Sequence, residues 1–285
     1  MIKTYFQLTK PGIIFGNVIT AAAGFFLASK GDVNWWLFLA AIAGLSFVIA
    51  SACVSNNYID REIDEKMART KKRALVKKSI LARNAIIFGV VLGLTGFLVL
   101  IVYTNLLTAF IAFIGFFFYV VMYSIWKRRS EYGTIVGSVS GAVPPVVGYC
   151  AVTNRFDVGA LLLFVILVLW QMPHFYAIAI YRLDDYAAAG LPVLPVKEGI
   201  FTAKIYMLFY IVAFIAAALL LSAFGYTGYA YLVAISLLGF MWLGMCIKGF
   251  KTGNAKRWAR GMFVFSLVII MLLSLMLSVE GAVRL

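Results

Sequence analysis

Apolar residues fill this chain in long blocks, and polar residues gather in the stretches between them. Nine blocks stand out, at about Ile13 to Ser29, Trp35 to Ser55, Asn84 to Tyr103, Leu106 to Trp126, Thr134 to Thr153, Val158 to Tyr181, Ala203 to Phe224, Thr227 to Ile247 and Gly261 to Val279. Each is near the about 17–25 residues that a helix needs to cross a bilayer. The third and fourth are separated only by Thr104 and Asn105, which predicts an antiparallel hairpin. Lys3 and Lys10 precede a first block that continues as an ordinary span without a small-residue cleavage site, so no cleavable signal peptide is expected.

Composition agrees with the pattern. The 285 residues are 64% hydrophobic and only 13% charged, with a mean hydropathy of +0.99, which excludes a soluble globular domain of this size. A net charge of +14 would point to nucleic acid in a soluble protein, but here the cations sort by side of the membrane. With nine spans, 22 of the 25 Lys and Arg fall on one set of connections, while the other set keeps Lys30, Arg155 and Arg284. The positive-inside rule then predicts a cytoplasmic N-terminus and a C-terminus on the opposite side of the membrane. Membrane lipid, and not nucleic acid, is the expected surrounding.

One interruption carries carboxylates where the second block ends. Asn56, Asp60 and Asp64 recur at i, i+4 and i+8, so on a continued helix each lies about 40° from the last and all share one face. Such a row of oxygens suits a hard cation such as Mg2+, which sits between one or two carboxylates and a substrate's phosphates. Arg61, Lys66, Arg69, Lys71, Lys72 and Arg73 follow within one short segment and suit a diphosphate. A plain basic cytoplasmic loop would explain the cations but would not require the acid spacing. The segment from Asp60 to Arg83 is too polar to cross and too long for a tight turn, so a helical extension capping a cavity is expected there.

A second polar stretch closes the sixth block. Trp170-Gln171-Met172-Pro173-His174 runs into Tyr181-Arg182-Leu183-Asp184-Asp185-Tyr186, again at the inner end of a span. His174 is the single histidine, and either a packing role or a ligand role fits it inside a membrane. Asp184 and Asp185 beside Arg182 repeat the acid-plus-base composition of the first stretch, so the two face each other across one cavity if they belong together. Lys10 at the interface and Asn17 within the first span are further polar candidates. Gly89, Gly93 and Gly96, and Gly133, Gly137 and Gly141, give small-residue faces for close helix packing. Pro144-Pro145 should kink the fifth span, Lys127-Arg128-Arg129 serve topology or a ligand equally well, and Cys53, Cys150 and Cys246 have no metal-ligand spacing. The expected fold is therefore all-α: one domain over residues 1–285, a polytopic membrane protein with nine transmembrane helices around a central cavity open toward the cytoplasmic side.

These segments resemble those of the intramembrane aromatic prenyltransferases, and nearly the whole chain resembles the haem O synthases (protohaem farnesyltransferases) among them. The resemblance rests on Thr9-Lys10-Pro11-Gly12, on Asn56-xxx-Asp60-xxx-Asp64 with Met67, Arg69, Thr70 and Arg73, and on Tyr132-Gly133 through Pro144-Pro145. It rests also on Trp170 to His174 and on Asp185-Tyr186 with Leu194-Pro195-Val196. Two positions depart from the superfamily: Ala189 stands where many members carry a second acid four after Asp185, and Ala74 follows Arg73 where proline is common. The resemblance implies Mg2+-dependent transfer of a farnesyl group from farnesyl diphosphate to a vinyl group of haem B, giving haem O. A haem A synthase or the terminal-oxidase assembly machinery would be a partner. It assigns catalysis to Asp60, Asp64, Arg69, Arg73 and Asp185, the metal to Asn56, Asp60, Asp64 and Asp185, and substrate binding to Asn56, Arg61, Arg182, Asp184, His174, Lys10 and Asn17. His174 would be an axial ligand of the haem iron, and Tyr119, Tyr123, Phe175 and Tyr176 would shield an allylic cation. The alternatives are the same chemistry on another aromatic acceptor, such as 4-hydroxybenzoate or a chlorin, and a transporter. No inverted repeat supports the latter, and both polar stretches lie at one face instead of the midplane.

Overall fold

The structure, a computed structural model, describes residues 2–282. Arg284, placed above on the sparsely charged side, lies outside the described residues. These form helices and turns, with no strand among them. The helices are α1 (Ile2–Leu8), α2 (Pro11–Ser29), α3 (Trp35–Ile59), α4 (Arg61–Lys66), α5 (Ala82–Tyr103), α6 (Leu106–Phe117), α7 (Ser124–Arg129), α8 (Gly133–Thr153), α9 (Val158–Tyr181), α10 (Leu183–Ala188), α11 (Leu194–Lys197), α12 (Gly199–Ala223), α13 (Tyr229–Lys248) and α14 (Ala255–Ala282). A π-helical turn, Phe118–Tyr123, joins α6 to α7, making one 24-residue span. Among the described residues nine helices are long and apolar enough to cross a membrane. The chain folds as an all-α, multi-pass membrane protein. Helices are the outcome because hydrocarbon offers backbone groups no other partner.

Ends of the spans are written locally. Asn34 Oδ1 accepts from Leu37 N at 3.0 Å, Asn105 Oδ1 from Thr108 N at 2.8 Å and Asp157 Oδ1 from Gly159 N at 2.9 Å, so α3, α6 and α9 each begin on a side-chain cap. Asn105 Nδ2 also donates to Cys150 O at 3.0 Å, which fastens the tight link after α5 to α8.

Small residues set which helices touch. α3 packs on α5, α2 lies between α8 and α14, and α9 packs on α8, α12 and α14. At the α2–α8 seam a Cβ on Gly148 would stand 1.9 Å from Ala21 O, and one on Gly24 would stand 2.0 Å from Pro145 O. Backbone meets backbone there, and only glycine permits it. The prolines sit inside α8, which runs continuously across them. α5, α12 and α13 stay outside the cavity, whose walls come from α2, α3, the fourth span, α8, α9 and α14. The three cysteines are buried on three different helices, and Cys53 forms part of the cavity wall.

Candidate active site

The central cavity measures about 740 Å³, the size of a ligand site. One end is charged and the rest is aromatic and apolar. At the charged end α3 stops at Ile59, Asp60 takes φ −89° and ψ 0°, and α4 restarts at Arg61. That bridge-region conformation recurs at active sites. The hydrogen bonds nevertheless continue, from Asp60 N to Asn56 O at 2.9 Å and from Asp64 N to Asp60 O at 2.8 Å. Asn56, Asp60 and Asp64 therefore stay in register and all line the cavity.

Each acid is held by a cation from elsewhere in the chain. Lys127 Nζ donates to Asp60 Oδ2, which also accepts from Asn56 Nδ2 at 2.8 Å. Arg128 Nη2 donates to Ile59 O at 2.7 Å and lies 3.7 Å from Asp60 Oδ1. Arg73 Nη1 donates to Asp64 Oδ2 at 2.6 Å. Asp64 is also fixed through its backbone, because Thr70 Oγ1 donates to its carbonyl at 2.9 Å. Lys10 turns the chain from α1 into α2 in the left-handed region at φ 53° and donates from Nζ to Asn56 Oδ1 at 2.7 Å. Burial pushes its ammonium down to about 8, Arg73 adds to that, and the two aspartates oppose it. Arg69 lines the exposed mouth and makes no ion pair among the described residues.

The deeper walls are aromatic. The π turn aims Tyr119 and Tyr123 into the cavity with their rings stacked at 5.9 Å, and Lys127 Nζ lies 4.9 Å from the Tyr123 ring centre. Such turns mark functional positions inside helices. Gly137 and Gly141 leave room for Tyr123 and Gln171: added Cβ atoms would meet Tyr123 Cδ2 at 2.9 Å and Gln171 Oε1 at 2.0 Å. Gln171 spends its amide protons on Ser138 O at 3.1 Å and Leu167 O at 2.9 Å, leaving Oε1 as an acceptor on the cavity wall. His174 and Phe175 of α9 also line the cavity, as does Asn17 of α2, whose amide donates to Ile13 O at 2.7 Å.

Part of the second polar stretch faces elsewhere. Arg182 and Asp184 are exposed; Arg182 covers the Tyr181 ring at 4.6 Å, and Asp184 pairs with Lys256 at 2.6 Å. Asp185 is half-buried and absent from the cavity wall. Arg61 folds back onto its own helix end, donating to Tyr58 O at 2.9 Å and lying 4.4 Å from that ring's centre. Among the described residues no group of three metal-ligating side chains forms, so Asp185 is not gathered with Asp60 and Asp64. The two stretches do meet, through an apolar contact of Ile63 and Met67 with Tyr186, Ala189 and Leu191. Tyr186, Leu191 and Val193 are what the second loop gives to the wall. Burial pushes the Tyr186 phenol above its ordinary value, with Arg69 opposing and Asp185 adding. Tyr176 is buried against Tyr206 and Tyr210 of α12 instead of facing the cavity. The physical reason is rotation: α10 leaves α9 at an angle that its length alone does not specify, and that angle turns one side of it to water.

The sequence marks no role for Tyr186 and leaves Lys127 between topology and ligand. Both sit at span ends among residues with an ordinary interfacial explanation, so no pattern in the chain distinguishes them.

Known proteins place this arrangement. Residues 17–270 match the profile of the UbiA prenyltransferase family. A protoheme IX farnesyltransferase of Edwardsiella ictaluri is 54% identical over 284 residues, covering 99% of this chain and 96% of that protein. One of Cronobacter sakazakii is 55% identical over 281 residues, with 98% and 95% covered. Among solved structures, digeranylgeranylglyceryl phosphate synthase superposes with a TM-score of 0.82 at 20% identity, over 99% of this chain and 98% of that one. A UbiA homolog from Archaeoglobus fulgidus bound to GPP and Mg2+ gives 0.72 at 12% identity, over 97% and 99%. Both the sequence and the fold likenesses run over nearly the whole length, and the chain belongs to the UbiA prenyltransferase family, alongside its protoheme IX farnesyltransferases.

Proposed function

We propose that this chain transfers the farnesyl group of farnesyl diphosphate to a vinyl group of haem B, giving haem O. The observation that carries the reading is end-to-end identity above one half with relatives named for that activity. The cavity agrees, with a charged end for a diphosphate and an aromatic, apolar interior for a prenyl chain and a porphyrin. The basic connections would face the cytoplasm, and the membrane would be a bacterial inner membrane.

A divalent cation fits the charged end. Asp60 Oδ1 is fully enclosed and accepts no hydrogen bond among the described residues, which is unusual for a buried carboxylate oxygen and is the kind of oxygen Mg2+ takes. Two carboxylates and the Asn56 amide do not complete a coordination sphere, so substrate phosphate and water would supply the rest. Mg2+, which the Archaeoglobus fulgidus homolog binds together with GPP, would neutralise charge on the leaving diphosphate. Asp60, Asp64 and Asn56 would hold it. Arg69, Arg73 and Lys127 would turn toward the phosphates, which need cations more as the C–O bond breaks. Tyr119 and Tyr123 would face the allylic carbon with their ring quadrupoles. The allylic carbon bonds to the terminal vinyl carbon, the adjacent carbon takes hydroxide from water, and the released proton and the diphosphate leave. Gln171 Oε1, a free acceptor on the cavity wall, would orient that water. His174 would hold the haem through its iron, so that the vinyl edge meets the allylic carbon. Asp185, Arg182, Asp184 and Arg61 act at most around the mouth, where the loops close on one another.

Purified protein in liposomes, given farnesyl diphosphate, haem B and Mg2+, should yield a hydroxyethylfarnesyl haem by mass spectrometry of extracted pigments. A farnesylated 4-hydroxybenzoate or chlorin in competition, with haem B unaltered, would overturn the acceptor.

A further inference from the structure

Among the described residues the His174 imidazole makes one hydrogen bond, and its partner reveals which ring nitrogen carries the proton. Nδ1 lies 2.7 Å from Ser266 Oγ on α14, and Ser266 Oγ lies 2.6 Å from Phe263 O. A carbonyl can only accept, so the single serine proton goes to Phe263 O. Ser266 Oγ therefore accepts from His174, and the imidazole proton sits on Nδ1. Nε2 is left as a lone pair, makes no hydrogen bond among the described residues, and belongs to a side chain on the cavity wall.

The same residue also fixes the ring plane. Trp170 Nε1 donates to the Ser266 carbonyl at 2.9 Å, and the Trp170 ring stacks on His174 at 4.8 Å and 25°. Phe263, one turn before Ser266, contacts the imidazole at 5.1 Å. Ser266 is wholly enclosed, so water does not compete for either bond.

We propose that Ser266 is a positioning residue, setting both the tautomer and the plane of His174 so that Nε2 presents its lone pair to the iron of the haem substrate. A histidine that ligates metal through one nitrogen needs the other held by an acceptor, which raises ligand basicity and fixes the ring. This rests on the reading of His174 as a haem ligand, and the experiment separates the two.

The chain has one histidine, so 15N-histidine labelling of the full-length, tag-free protein reports a single imidazole. The expected spectrum without haem shows protonated Nδ1 and unprotonated Nε2. Ser266→Ala should give a tautomer mixture, with haem affinity weaker by about 10–100-fold and a shifted Soret band, while farnesyl diphosphate binding is kept. Ser266→Thr keeps the hydroxyl and should return the parent tautomer and haem spectrum. An unprotonated Nδ1 in the parent overturns the proposal. So does an S266A variant with parent tautomer and haem affinity, and so does an S266T variant as impaired as S266A, which would make the effect one of packing. Parent-like haem spectrum and affinity in His174→Ala would instead remove the ligand reading itself, while leaving the tautomer measurement intact.

Discussion

Asp60→Asn tests the charged end most directly, because stability and activity should separate. The side chains of Asp60 and Lys127 are each 11% exposed, so the substitution leaves a buried ammonium without its counter-ion. Breaking one side of a buried pair costs about 3–5 kcal/mol. The asparagine still offers Asn56 an acceptor, and the cavity admits water to Lys127, so the lower end, about 3 kcal/mol, is expected. Lys127→Met on the same background removes the stranded charge, and stability should return to within about 1 kcal/mol of the parent, since a buried pair replaced by neutral groups is often nearly neutral. Activity should not return. Losing one electrostatic contact to developing charge costs about 10²–10³ in kcat, and D60N and D60N/K127M should share that loss. Thermal aggregation midpoints in detergent report the first quantity, and single-turnover farnesyl transfer with Mg2+ the second, with K127M alone closing the cycle. A double variant with near-parental turnover would refute the reasoning, because Asp60 would then serve only to neutralise Lys127. Destabilisations that simply add would show the pair to be uncoupled.

Arg73→Gln should raise KM for farnesyl diphosphate about tenfold, as expected for losing a charge-assisted bond at a part-exposed site; an unchanged KM places the phosphates elsewhere. Tyr119→Phe keeps the ring and should stay near parental turnover, whereas Tyr119→Ala should lose several-fold to about thirtyfold in kcat if the ring faces the allylic cation. Equal effects of the two in single-turnover assays would point to the hydroxyl instead. Gly148→Val, whose Cβ would stand 1.9 Å from Ala21 O, should fail to give monodisperse protein on size exclusion, while Gly244→Ala, with nothing within 4 Å, should elute as the parent does. Good behaviour of G148V would show that the α2–α8 seam can open.

The spans were determined by the sequence alone. The block at Val158 to Tyr181 coincides with α9, and Trp35 to Ser55 falls short of α3 by four residues, where the polar Asn56 and Asn57 interrupt the apolar run. The bilayer makes this possible, because its thickness fixes the length of an apolar run and its lack of water fixes the backbone as helix. The acid row at Asn56, Asp60 and Asp64 was equally local, since four-residue spacing defines a helical face without knowledge of any neighbour. Tertiary structure alone decided which cation meets which acid. Lys127 reaches Asp60 from 67 residues away, and Ser266 reaches His174 from 92. It alone turned Tyr186 inward and Asp184 outward, and it inserted the π turn that aims Tyr119 and Tyr123. Those choices depend on how each helix is rotated about its axis, and rotation is set by backbone contacts such as Gly148 on Ala21 and Gly24 on Pro145. In a span that is apolar nearly all round, the hydrophobic pattern names no preferred face. Only the packed neighbours do.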